Sequence, residues 1–120
     1  MRTGVDIVEL SRIKLDKTFI SKVANKEEIE YIQTYKTLQG QKESLGGLWA
    51  VKEAVMKMLE LGKNSGVSFK NILILHKENG KPYVKLSGVA LKAYKQLNFK
   101  ECDISISHEK DYAVAFAVGI

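Results

Sequence analysis

No glycine or proline interrupts the chain between Leu48 and Leu61, and Ala, Leu, Met, Lys and Glu dominate that stretch, which predicts a helix. At about 100° per residue, Leu48, Val51, Val55, Met58 and Leu59 fall on one apolar stripe, so this helix must lie on a core. Glu53, Lys57 and Glu60 share the other side, because residues three and four apart are neighbours there. Trp49 and Met56 flank those charges, which implies that this side is also covered, by a ligand, another element or another subunit. Glu53 and Lys57 are therefore the first candidates for chemistry. Taken alone, they also match the commonest stabilising pair of exposed helices, a contribution of about 0.2–0.5 kcal/mol. The rest of the chain has to supply the context.

Thr3–Val8 predicts a strand with Val5 and Ile7 on one face and Asp6 on the other. A carboxylate within a strand loses hydration unless it is exposed on a polar face, paired or bound to a metal. Leu10–Ala24 reads as a basic helix carrying Arg12, Lys14, Lys17 and Lys22 against Asp16, either a solvated face or a dock for an acidic partner. Asn25 with Glu28 forms a capping pattern ahead of the Ile29, Ile32 stripe, and Gly40–Gly47 reads as a looser junction before the central helix. The helix is expected to stop near Gly62, where the small-residue segment Gly62–Gly66 makes a flexible loop whose amides could approach phosphate.

Ile72–His76 and Tyr83–Leu86 predict a hairpin turned at Asn79-Gly80, with Pro82 at the entry to its second strand. Ser87–Leu97 follows as a helix with a stripe of Ala90, Leu91, Tyr94 and Leu97. Asp103–Ser107 alternates with period two, His108–Asp111 makes a turn, and Tyr112–Val118 returns as an apolar strand. His108 thus stands at a strand end, where functional side chains can project, whereas nothing in its surroundings singles out His76. Helices in the middle with strands at both ends and between them predict a single α+β domain over 1–120 with an antiparallel sheet.

Nineteen basic and fourteen acidic residues give a net charge of +5, which favours anionic partners: nucleic acid, a phosphorylated small molecule or an acidic protein. The basic residues are not interleaved with aromatics as a stacking platform would require, so charge alone supports nucleic-acid binding. One cysteine, Cys102, excludes an intrachain disulfide framework and suits a reducing cytoplasm, and its alternation with Ile104 and Ile106 marks a buried structural thiol. Asp6 and Glu9 stand where a secretory signal needs an apolar core, and no apolar run is long enough to span a bilayer.

Two histidines and one cysteine make a zinc site improbable, while Asp6 and Glu53, on different elements, suit magnesium shared with phosphate oxygens and water. Lys57, one turn from Glu53, would then neutralise a phosphate or a leaving group in metal-assisted phosphoryl-type transfer. Hydrolysis of a nucleotide diphosphate by the same residues is the alternative enzyme reading.

Gly4-Val5-Asp6-Ile7-Val8-Glu9, Trp49-Ala50-Val51-Lys52-Glu53-Ala54-Val55-Met56-Lys57, Gly80-Lys81-Pro82 and Ser105-Ile106-Ser107-His108 together resemble the small bacterial holo-acyl-carrier-protein synthases of the 4'-phosphopantetheinyl transferase family. The resemblance covers almost the whole chain in order and spacing. It implies transfer of 4'-phosphopantetheine from coenzyme A to a serine of apo acyl carrier protein in fatty acid biosynthesis, with Mg2+ as cofactor. By position, it implies that Asp6 and Glu53 hold magnesium, that Lys57 stabilises the diphosphate, and that Glu53 or a metal-linked water accepts the serine proton. It further implies that His108 and Ser107 contact a coenzyme A phosphate, that Gly80, Lys81 and Pro82 line the nucleotide side, and that the basic helix led by Arg12 docks the carrier protein. A homotrimer with sites at subunit interfaces is also implied, which would account for Trp49 and Met56. The chain departs from the pattern at Leu48, where relatives usually carry Arg, and in having no Arg around Gln41–Ser44. An anion contact is then missing or falls to Lys42, Lys52 or Lys63.

Overall fold

The computed structural model describes residues 1–120. Strands β1 (Arg2–Glu9), β4 (Cys102–His108) and β5 (Tyr112–Gly119) form an antiparallel sheet in the order β1-β5-β4. Strands β2 (Ile72–His76) and β3 (Pro82–Leu86) form a separate hairpin. Helices α1 (Lys17–Val23), α2 (Lys26–Gln33), α3 (Leu38–Met58) and α4 (Gly88–Gln96) complete the α+β architecture read from the sequence. No helix is long and apolar enough to cross a membrane.

Helix α3 lies across one face of the three-stranded sheet and carries much of the core on its other sides. Every member of the predicted stripe, Leu48, Val51, Val55, Met58 and Leu59, is buried. The helix starts a full ten residues earlier than its uninterrupted stretch suggests, with Thr37 as N-cap accepting from Gly40 N at 2.9 Å. Gly40–Gly47 is therefore helix, not a junction. Glycine is used there because the neighbours come so close: a Cβ on Gly46 would collide with the Leu10 side chain, and one on Gly47 would stand 2.9 Å from Ile106 Cγ2. At the other end the helix stops at Met58 rather than near Gly62, turned off by Glu60 in the left-handed region at φ 58°.

Strand β1 approaches α3 more closely still, since a Cβ on Gly4 would run into the backbone carbonyl of Ala54. Gly4→Ala should force strand and helix apart and lower unfolding stability by about 1–3 kcal/mol, read as a fall in thermal midpoint. An unchanged midpoint would show that this approach is not needed for the packing.

The faces of β1 are the reverse of a simple core-and-solvent strand. Gly4, Asp6 and Val8 point toward α3, while Val5 and Ile7 face outward and are 55% and 64% exposed. Asp6 is thus not an exposed polar-face residue of an edge strand. The outward face continues across β5 with Tyr112, Val114 and Phe116, all exposed, so the sheet presents apolar side chains on the side away from α3.

Leu10–Ala24 is not one helix. Leu10–Arg12 is a single 3-10 turn, and α1 begins only after Asp16, whose carboxylate accepts from Phe19 N at 2.8 Å. Aspartate favours that cap over the helix interior. Arg12 lies on the turn, Lys14 in the connection, and Lys17 and Lys22 on α1, all four exposed. The Asn25–Glu28 capping box is present, as predicted. The segment Gly62–Gly66 contains a short 3-10 turn, Lys63–Ser65, and Cys102 is half-buried, its thiol pushed up chiefly by burial.

Candidate active site in two halves

Helix α3 and strand β1 bring Asp6, Glu53 and Lys57 together along one edge of the sheet. Lys57 Nζ donates to Val5 O at 2.9 Å and to Asp6 Oδ1 at 3.2 Å, which ties the middle of β1 to the last turns of α3. Glu53 has its proton affinity raised first by burial and then by the Asp6 charge, while Lys57 and Lys63 pull it back down. The two carboxylates therefore share one electrostatic neighbourhood with two ammonium groups. No third His, Cys, Asp or Glu joins them. A pair of carboxylates with no further protein ligand fits a hydrated Mg2+ that completes its coordination with water and phosphate oxygens.

The second half lies beside β4, at the opposite edge of the sheet. A cavity of about 190 Å³ opens between α2, the first half of α3, the β2–β3 hairpin and the end of β4. Gly80, Pro82 and His108 line it, as do Tyr31, His76 and Glu43. The Tyr31 and His76 rings stack at 3.8 Å with an interplanar angle of 3°, and the Tyr31 and Tyr35 hydroxyls meet at 3.4 Å. Burial, with that hydroxyl contact, pushes the Tyr31 phenol up to about 12, and burial lowers the His76 imidazole. His108 Nδ1 stands 3.8 Å from Glu43 Oε2.

Not every residue expected at the site lines these halves. Ser107 points to the outer face of the sheet, the alternate side from Ile106, and does not line the cavity with His108. Lys81 turns away between its two lining neighbours and pairs with Asp103 at 2.8 Å. Lys52 cannot serve an anion at all. It is wholly buried, and its Nζ donates to Glu28 Oε1 at 2.8 Å, Val23 O at 2.7 Å and Phe69 O at 3.0 Å. Of the other two lysines, Lys63 acts on Glu53 at the carboxylate edge, and Lys42 lines a shallow groove with Glu9 and Asp111. Trp49 needs no neighbouring subunit for cover, since Phe19 stacks on it at 5.7 Å and Phe69 packs at 5.0 Å.

Asp6 and the cavity lie on the same face of the sheet, with β5 between their strands and α3 lying across that face. Within one chain, the helix separates the carboxylate pair from the aromatic cavity.

The family model of the 4'-phosphopantetheinyl transferase superfamily matches residues 2–117. The chain belongs to this superfamily. It is 40% identical to the holo-[acyl-carrier-protein] synthase of Ruminiclostridium cellulolyticum over 98% of this chain and 90% of that protein. The crystal structure of the Neisseria meningitidis holo-[acyl-carrier-protein] synthase superposes with a TM-score of 0.85 at 29% identity, covering 99% of this chain and 97% of that one. A Bacillus anthracis holo-(acyl-carrier-protein) synthase in complex with CoA (3',5'-ADP) gives a TM-score of 0.81 at 30% identity, covering 98% and 94%.

In this phosphopantetheinyl transferase superfamily member, sequence reasoning missed the cavity's aromatic side. His76 ends β2 with nothing local to mark it, and Tyr31 and Tyr35 read only as a helix and its exit. Their one shared signal is spacing: residues four apart share a helical face, which points Tyr31 and Tyr35 the same way. The His76 partner is a long-range contact that no local pattern carries.

Proposed function

We propose that this chain transfers 4'-phosphopantetheine from coenzyme A to a serine of apo acyl carrier protein, releasing adenosine 3',5'-bisphosphate, in cytoplasmic fatty acid biosynthesis. The observation that carries this is the Asp6–Glu53–Lys57 cluster built across β1 and α3 in a member of this superfamily. Asp6 and Glu53 would hold Mg2+, which when bound supplies charge neutralisation to the coenzyme A diphosphate. Lys57, with more than half its side chain exposed, presents an ammonium to the phosphate that departs. Glu53, or a water held by the metal, would accept the serine proton. The serine oxygen bonds to the pantetheine-side phosphorus, the bridging P–O bond breaks, and its electron pair leaves with the nucleotide. The aromatic cavity, with Gly80, Pro82 and His108, receives the adenosine end. The exposed Arg12, Lys14, Lys17 and Lys22 offer the acidic carrier protein a positive surface.

The separation of the two halves supports a homotrimer in which the carboxylate edge of one subunit faces the cavity edge of the next. A head-to-tail contact of that kind closes into a ring. The outward Val5, Ile7, Val114 and Phe116 give such a ring an apolar surface to bury.

Intact-mass measurement of an apo acyl carrier protein incubated with this protein, coenzyme A and magnesium should show a gain of one phosphopantetheine group. The gain should vanish with a chelator and with the acceptor serine replaced by alanine. Coenzyme A consumed without an acceptor would instead assign the same residues to diphosphate hydrolysis. For the shared site, inactive Glu53→Ala and His108→Ala chains, unfolded together and reassembled at equal amounts, should recover about a quarter of the wild-type activity. Recovery of none would place each complete site within one subunit.

A further inference from the structure

Strand β2 pairs with β3 along one edge only, so backbone amides on its other edge have no strand to bond. Helix α2 lies beside that open edge, and a single hydrogen bond joins the two elements: Ile74 N donates to Glu28 Oε2 at 2.8 Å. The other oxygen, Oε1, accepts from Asn25 N at 2.7 Å, in the capping box of α2, and from Lys52 Nζ at 2.8 Å. One carboxylate thus takes the place of a neighbouring strand and holds the start of α2. It is fixed from α3 by a lysine that is itself wholly buried.

The Tyr31–His76 stack is the next rung between the same two elements. Tyr31 is three residues beyond Glu28, on the same face of α2, and His76 is two residues beyond Ile74, on the same side of β2. No hydrogen bond runs between the two rings, and the Tyr31 hydroxyl meets only that of Tyr35. Their parallel setting, 3.8 Å apart at 3°, therefore depends on how far α2 stands from β2, which the Glu28–Ile74 bond fixes.

Glu28 borders the cavity, but it is 3% exposed and already accepts three hydrogen bonds, so it does not serve a ligand directly. Nor does stability explain a buried ion pair, because an apolar pair of the same volume is often as stable or more so. What an apolar pair lacks is an acceptor for two backbone amides.

We propose that Glu28, with Lys52 as its counter-charge, is a positioning residue for the nucleotide: it sets the spacing of α2 and β2 at which Tyr31 and His76 form one flat wall before any ligand arrives. A wall built in advance binds without the cost of ordering it. The inference rests on reading the cavity as the nucleotide half of the site. The device lies within one chain, so it holds whichever residues a neighbouring chain adds to that half.

The test is coenzyme A binding by calorimetry, with magnesium present and well below each variant's thermal midpoint, alongside steady-state transfer. Glu28→Gln leaves one oxygen where two backbone amides need two. It should raise the Kd and KM for coenzyme A about three- to tenfold, while kcat and the KM for the carrier protein stay within about twofold. In NMR spectra the His76 ring signals should move, because the Tyr31 ring no longer lies parallel to them. Tyr31→Leu should weaken binding by a similar factor, and combining it with Glu28→Gln should add less than about twofold more, since both act through one wall. If Glu28→Gln alone does not fold, Lys52→Met combined with Glu28→Gln removes both buried charges and should show the same binding loss. A rise in Kd of less than about threefold, additive losses in the combined variant, or unmoved His76 signals each overturn the proposal. Wild-type affinity in Tyr31→Leu overturns it together with the cavity reading, whereas a loss in Tyr31→Leu without one in Glu28→Gln overturns it alone. The expected binding results without any transfer to carrier protein support the positioning role and remove the transferase reading.

Discussion

Glu53→Ala is expected to lower kcat/KM for carrier-protein modification by at least about 10³-fold while the protein stays folded. The loss removes one carboxylate of the Asp6–Glu53 pair, which the proposed mechanism needs to hold the metal. The intact fold follows from the environment of Glu53. Burial and Asp6 raise its proton affinity in the folded state above that of a free glutamate. A carboxylate shifted that way favours the fold when protonated, and the contribution is lost as pH rises from the ordinary glutamate range through the raised folded value. At neutral pH the ionised group therefore works against stability. Glu53→Ala and Glu53→Gln should melt at or above the wild-type temperature, with the difference shrinking on acidification. Normal activity in a folded Glu53→Ala protein would remove Glu53 from the mechanism.

Lys52→Met should have the opposite profile, a large loss of stability. The Lys52 ammonium is held at zero exposure by Glu28 and the carbonyls of Val23 and Phe69, joining α3 to the end of α1, the cap of α2 and the segment before β2. Burial lowers its proton affinity and the Glu28 charge restores part of it. Removing the lysine leaves Glu28 ionised with no counter-charge in the core, a cost of about 3–5 kcal/mol. In a domain of this size that corresponds to a fall in thermal midpoint of about 10–20 °C. Adding Glu28→Gln to Lys52→Met should return part of the loss, because the surviving amide still accepts a backbone N–H. A single Lys52→Met chain within about 1 kcal/mol of wild type would show that the pair is not needed.

The consecutive residues Lys52 and Glu53 show what a sequence can and cannot carry. Helical period alone puts Glu53, Lys57 and Glu60 on one side, and the structure keeps Glu53 and Lys57 there beside Asp6. The same period places Lys52 about 100° away, but only the fold reveals that this direction leads into the core toward Glu28. Asp6 was similarly ambiguous. Alternation separates it from Val5 and Ile7, yet which face is inward depends on where α3 lies, and here the apolar face is the outer one. Gly46 and Gly47 were misread for the reason that local propensity is a weak prior: close approach of Leu10 and Ile106 demands residues without side chains inside a helix. The hairpins, the capping box and α4 were legible because their signals are local, whereas the aromatic cavity joins residues from α2, β2 and β4 that nothing local connects.

The position of α3 between the carboxylate edge and the cavity makes the substrate a cross-link in the proposed ring. On that proposal a nucleotide touches the carboxylate edge of one subunit and the aromatic wall of the next, and so binds only where two chains meet. By linkage, whatever affinity it gains from the second chain it returns as affinity of the chains for each other. Dilute protein without substrate should therefore fall apart more readily than protein saturated with it, and specific activity should climb with enzyme concentration when substrate is scarce. In such a ring, nucleotide supply would set the number of assembled sites as well as the speed at which each one works.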